Sequence, residues 1–118
     1  MANNFISLCS VAIDVGAATR EYAFTPPTRC ELVQIDCSAD AADSTDKYTV
    51  TLVQSSTTLA TVTTVTSADT IYSKVGPDSG QTPYLDPGVV YKVVVTFAGT
   101  AANVKGVNIR VWGKVRGR

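Results

Sequence analysis

No histidine occurs in the 118 residues. Its absence removes Ser-His-Asp and Cys-His nucleophile systems and every histidine-ligated metal in one step. Cysteine is scarce: Cys9, Cys30 and Cys37 are an odd number with no CxxC spacing, which fits neither a disulfide framework nor a zinc knuckle. Cys30 and Cys37 lie seven apart on one expected strand, so regular alternation points them to opposite faces. All three read as small buried hydrophobes in a chain made in a reducing cytoplasm. Glycine-rich phosphate-binding spacings of the GxGxxG or P-loop kind are missing as well.

Neither sign of charge is in excess. Ten Lys and Arg balance ten Asp and Glu, so the chain lacks the long-range field of a general nucleic-acid binder. Apolar runs are short and interrupted, well under the roughly 20 residues a membrane helix requires. The segment from Met1 to Phe5 has no basic and apolar export signal. The expectation is a soluble protein with no nucleic-acid and no membrane partner.

What is present is β-structure signal of one kind. Apolar residues make up 45% and charged residues 17% of the chain, enough for one core at a common single-domain size. Residues 1–118 are expected to form one domain. Val and Thr recur with period two, as β-branched residues do on a pleated surface. Strands are expected at residues 5–14, Arg20–Thr25 before Pro26 and Pro27, and Cys30–Ser38. In the last of these Val33, Ile35 and Cys37 face one way, and Gln34 and Asp36 the other. Tyr48, Val50 and Leu52 form an inward row opposite Thr49 and Thr51. A turn at Ser55–Thr58 leads to a return strand at Leu59–Val65, and a short strand covers Asp69–Val75.

A polar loop from Gly76 closes on the turn residues Asp86, Pro87 and Gly88. Val89, Tyr91, Val93, Val95 and Phe97 then share one face of a strand, and Val107, Ile109, Val111 and Val115 one face of the last. About eight strands with no helix between them predict an all-β single-domain sandwich, an eight-stranded jelly roll in number.

Chemistry has few candidates. Pairs of carboxylates can be picked from Asp14, Glu21, Glu31, Asp69, Asp78 and Asp86, but no spacing singles out two of them across a cleft. Asp36, Asp40, Asp43 and Asp46 surround one loop, yet do not follow the DxDxDG order of a calcium site, so a solvated loop is expected. No catalytic residue, cofactor or metal is assigned, and the chain reads as a non-enzyme.

The sharpest electrostatic feature is at the C-terminus. Half of the positive charge, Lys105, Arg110, Lys114, Arg116 and Arg118, lies in the final fourteen residues, and Asn108, Arg110, Trp112, Lys114 and Arg116 alternate on the outward face of the last strand. On an edge strand such a row would discourage stray pairing. Alternatively, it would dock on an acidic partner surface, where Arg and Trp are common anchors. Trp112 either packs at the rim of the core or, exposed beside Tyr84 or Tyr91, forms a sugar-stacking platform.

From Arg20 onward the order of pieces resembles small bacteriophage virion proteins of the head-decoration, or cement, type. The resemblance rests on the aromatic strand ending in Thr25-Pro26-Pro27, the Cys30–Cys37 strand reading CELVQIDC, the Ala and Asp loop, the Thr and Val hairpins, the Leu85-Asp86-Pro87-Gly88 turn, and the closing strand with alternating basic residues. It implies a virion structural protein, assembled in the host cytoplasm, that sits on the outer capsid surface as a homotrimer and clamps the major capsid protein lattice. Candidate contacts are Ala2, Asn3, Asn4 and Phe5 at the N-terminus. The basic strand adds Lys105, Arg110, Trp112, Lys114, Arg116 and Arg118. A neck or tail subunit is the alternative within the virion. A carbohydrate-binding module is the alternative outside it, discriminated by coplanar exposed rings among Tyr72, Tyr84, Tyr91 and Trp112.

Overall fold

The structure is a computed structural model and describes residues 5–115. Among these residues nine strands follow one another: β1 (Phe5–Val15), β2 (Arg20–Phe24), β3 (Cys30–Ser38), β4 (Lys47–Gln54), β5 (Thr57–Thr61), β6 (Tyr72–Val75), β7 (Tyr84–Leu85), β8 (Tyr91–Ala98) and β9 (Lys105–Val115), with a 3-10 turn at Ala101–Asn103. All pairings are antiparallel. One sheet has the order β1-β9-β3-β6, with β7 also on β3, and the other the order β2-β8-β4-β5.

The pairs nest: β1 with β9, β2 with β8, β3 with β6, β4 with β5. A long antiparallel hairpin folded over on itself produces this nesting, and the fold makes β9 also meet β3 and β8 also meet β4. This is the jelly-roll order, in an all-β sandwich as expected from the periodicity. The ninth strand is the two-residue β7, inside what the sequence presents as a loop. Leu85 anchors it by complete burial, and it takes over the β3 edge at Cys30 and Glu31 where β6 does not reach.

Between the sheets lies a core drawn from both inner faces, among them Ile35, Tyr48, Leu52, Tyr91, Val95 and Val111, and among the described residues no charged one is buried. Two tyrosines enter it because their hydroxyls find partners, as buried phenols require. Tyr48 donates to Ser38 O at 2.6 Å, and Tyr91 accepts from the Asp86 amide at 2.8 Å. The latter bond seats the Asp86–Val89 turn, whose Gly88 has φ of 80° as the third position of a type II turn behind Pro87 demands.

Strict alternation fails in β3. Leu32 opposes Gly113 and Gln34 opposes Trp112, so Val33 is an extra, bulged residue. Leu32 is buried and Val33 only half-buried, contrary to the expected inward Val33. The same bulge corrects the cysteines: one inserted residue restores parity, so Cys30 and Cys37 share the inner face and both are buried. Cys9 is only half-buried. Two further boundaries shift. The return strand β5 begins at Thr57 and its ladder stops at Thr61, though Val62 and Val65 stay buried, Val62 N–H bonding Val50 O at 2.9 Å. β6 starts at Tyr72 because Asp69, at φ of 56°, lies in the left-handed region and cannot extend the strand.

Candidate interaction face

β9 is not an edge strand. It pairs with β1 on one side and β3 on the other, so the expectation that its basic residues guard an edge is overturned. The alternation of β9 buries Val107, Ile109 and Val111 and turns Asn108, Arg110, Trp112 and Lys114 to the outer surface of the sheet. The row therefore runs along the second strand of a broad face rather than along its rim.

Register places neighbours on each side of this row. Lys114 lies between Phe5 on β1 and Glu31 on β3; Trp112 between Ser7 and Gln34; Arg110 between Ser10 and Asp36; Asn108 between Ala12 and Ser38. Beyond β3, Val75 opposes Gln34 and Ser73 opposes Asp36. Phe5 and Val75 are exposed, at 49% and 71%. The face thus has basic groups in its middle and apolar groups at its borders.

Two bulges meet at Trp112. Leu8 is the extra residue of β1, between Ser7 opposite Trp112 and Cys9 opposite Val111, and Val33 is the extra residue of β3 on the other flank. Bulges bend a strand and re-aim its side chains, and here both distort the sheet where its one tryptophan stands. The indole is half-buried, and the Arg110 guanidinium lies over it at 5.3 Å, within cation–π range.

Asp36 is engaged. It accepts from Gln34 Nε2 at 2.6 Å and from Ser73 Oγ at 2.7 Å. Among the described residues, neither Arg110 nor Lys114 makes an ion pair. Beside Asp36 and Arg110 a hollow of about 290 Å³ opens, walled by Ser10, Ser38, Asn108, Trp112 and the exposed Ile71. It is a shallow feature of the face, with Cys37 beneath it. Burial, reinforced by the neighbouring Asp36 charge, pushes the Cys37 thiol up to about 12, so it is no nucleophile near neutral pH.

The expected site residues separate into three groups. Phe5, Arg110, Trp112 and Lys114 are brought together on this face. Lys105 is not: it sits at the far end of β9, opposite Val15, beyond the left-handed Gly106. Ala2, Asn3, Asn4, Arg116 and Arg118 lie outside the described residues. Gln34, Ile71, Ser73 and Val75 belong to the face without having been singled out. The alternation of β3 could have found Gln34, whereas nothing short of the β3–β6 register places Ser73 and Val75.

The remaining candidates have structural roles. Asp43 accepts from the Thr45 and Asp46 amides at 2.8 and 2.7 Å, an Asx turn that holds its carboxyl below the ordinary value. Asp46 accepts from the Thr100 amide and from Asn103 Nδ2. Among the described residues, no three acids and cysteines gather as a metal site. Of the aromatics proposed for a sugar platform, Tyr91 is core, Tyr72 shares its hydroxyl with Thr66, and Tyr84 is covered by Arg29 at 4.4 Å.

Compared with known proteins, the chain matches no family model, no curated protein and no solved structure.

Proposed function

We propose that this chain is a non-enzymatic virion structural protein of the capsid-decoration type, which docks on the major capsid protein lattice at the outer surface of the head. The observation that carries the reading is the placement of Arg110, Trp112 and Lys114 in the middle of one sheet face, bordered by exposed Phe5 and Val75. Arginine and tryptophan surrounded by an apolar margin are the side chains that anchor protein interfaces. The partner that fits is an acidic protein surface with apolar patches. Self-association, three-fold in the proteins the chain resembles, would multiply a modest footprint by avidity.

The ring geometry favours a protein partner over a glycan. Arg110 lies over the Trp112 ring, Arg29 covers the Tyr84 ring and Tyr91 is buried, so these rings do not offer open faces for sugar stacking.

The test mixes the purified protein with undecorated capsids and pellets them. Saturable co-pelleting at a stoichiometry the capsid symmetry allows, lost in the double variant Arg110→Glu/Lys114→Glu, supports the proposal. Protein that stays in the supernatant overturns it and directs the search to neck and tail partners. Specific binding to a glycan array that disappears in Trp112→Ala would replace it with the carbohydrate-binding reading.

A further inference from the structure

The four sheet edges are not alike. β2 and β5 have five residues each, and β2 carries Arg20 and Glu21; the edge beyond β3 is broken into β6, of four residues, and β7, of two. Short, charged or interrupted edges are the usual protections against strand addition. β1 has eleven residues, FISLCSVAIDV, with no Lys, Arg or Pro and the single charge of Asp14. Among the described residues it pairs only with β9.

The hydrogen-bond phase of this edge follows from the far side of the sheet. Val33 O accepts from Gly76 N–H at 2.9 Å and Ala39 O from Asp69 N–H at 2.8 Å, both away from β9, while Asp40 N–H donates to Lys105 O at 2.8 Å, toward it. Bonds alternate along an antiparallel ladder, so Asp36 and Ser38 turn theirs to Arg110 and Asn108 of β9. Val107, Ile109 and Val111 then turn theirs to Ile13, Val11 and Cys9, in a register unshifted over those residues. The N–H and C=O groups of Ser10 and Ala12 accordingly point out of the sheet, and among the described residues no backbone group meets them.

We propose that a second copy of this chain adds to this edge, β1 against β1 antiparallel about a two-fold axis at Ala12. In that register Cys9 faces Val15 of the copy and Val11 faces Ile13, so inward residues meet inward residues and outward ones meet outward ones. It is the bulge-free half of β1 that pairs. Val15, 46% exposed in the single chain, gains an apolar neighbour. Ala12, exposed and small, meets itself at the axis.

Charge selects the copy over an arbitrary strand. On the outer surface Asp14 of one chain falls opposite Ser10 of the other, and Ser10 in turn neighbours Arg110. The resulting row reads Asp14 of the copy, Ser10, Arg110, Asp36. Two strand spacings, about 9.6 Å, lie within the combined reach of an aspartate and an arginine across a serine. Asp14 and Arg110 are without ion pairs among the described residues of the single chain, and the two-fold axis makes the contact twice. The two basic faces become one continuous surface. This pairing goes beyond the capsid-binding reading, does not depend on it, and replaces three-fold by two-fold order.

Light scattering over a dilution series tests it without any capsid. The expected mass is twice that of the chain, falling to that of the single chain on dilution. Ala12→Lys places two ammonium groups at the axis and is expected to yield a monomer with an unchanged circular dichroism spectrum. Asp14→Arg and Arg110→Asp each weaken the dimer about tenfold, since each exposed pair occurs twice, and the double reversal restores it. A monomer at every concentration, a trimer, or a dimer indifferent to both Ala12→Lys and Asp14→Arg overturns the proposal.

Discussion

The side chain of the bulged Leu8 lies across Gly113, so close that a Cβ on Gly113 would stand 2.7 Å from Leu8 Cδ1 and 3.3 Å from Cys30 Cβ. Gly113 thus makes room for the bulge beside Trp112. Gly113→Val is expected to destabilise the fold by about 1–3 kcal/mol through overpacking, read as a lower urea midpoint. Because the nearest atom is the end of a flexible side chain, Gly113→Val/Leu8→Ala should recover part of the loss; no recovery would place the conflict at Cys30 instead.

Asp46 ties the β3–β4 loop to the 3-10 turn before β9, accepting from the Thr100 amide at 2.7 Å and Asn103 Nδ2 at 3.0 Å. Asp46→Ala removes charge-assisted hydrogen bonds and is expected to cost about 1.5–3 kcal/mol. Gly99→Ala should destabilise too, since Gly99 has φ of 75° and its added Cβ would meet Thr45 O and Asp46 Oδ1. Thermal unfolding of both variants, compared with wild type, measures these effects.

At Asp43 the prediction concerns acid. Backbone amides of Asp46 and Thr45 hold its carboxyl below the ordinary 3.8. A depressed acid stabilises the folded state above its unfolded value, and that contribution disappears as pH falls through the folded one. The melting temperatures of wild type and Asp43→Ala should therefore differ at neutral pH and converge as the pH drops below 3.8. A gap that persists in acid would mean that the turn is held by something other than the charge.

Thiol reactivity should follow burial. Cys9 is half-buried, whereas Cys30 and Cys37 are fully enclosed, and burial raises the thiol of each. At pH 8 a maleimide is expected to label Cys9 first and to reach Cys37 only on unfolding, as mass spectrometry of the labelled peptides will tell. Equal rates at Cys9 and Cys37 would contradict the packing of β3.

Much of the fold was legible because it depends on a local repeat. Tyr48, Val50 and Leu52 alternate with threonines, and all three are buried; Cys30–Ser38 begins and ends where its pattern does. The bulges were not legible. Inserting Val33 changes no composition and leaves an apolar residue where an inward one was expected, so only the partner strand reveals the slip. β7 escaped notice for a related reason: two residues carry no period.

The candidate face was half legible. Arg110, Trp112 and Lys114 stand on one side of any strand that contains them, so their common orientation follows from period two alone. Whether that strand guards an edge or runs inside a sheet is a matter of which distant segments pair with it.

The sequence by itself determined that the chain is β-structured, which side of most strands is apolar, and that Arg110, Trp112 and Lys114 share a side, because each of these depends on residues two apart. Tertiary structure alone decided that β9 lies between β1 and β3, that Leu8 and Val33 bulge on either flank of Trp112, and that β1 is left as the long open edge. Strand neighbours are chosen by burying both inner faces at once, in a jelly roll whose pairs join residues as far apart as Phe5 and Lys114, and no window along the chain contains that choice.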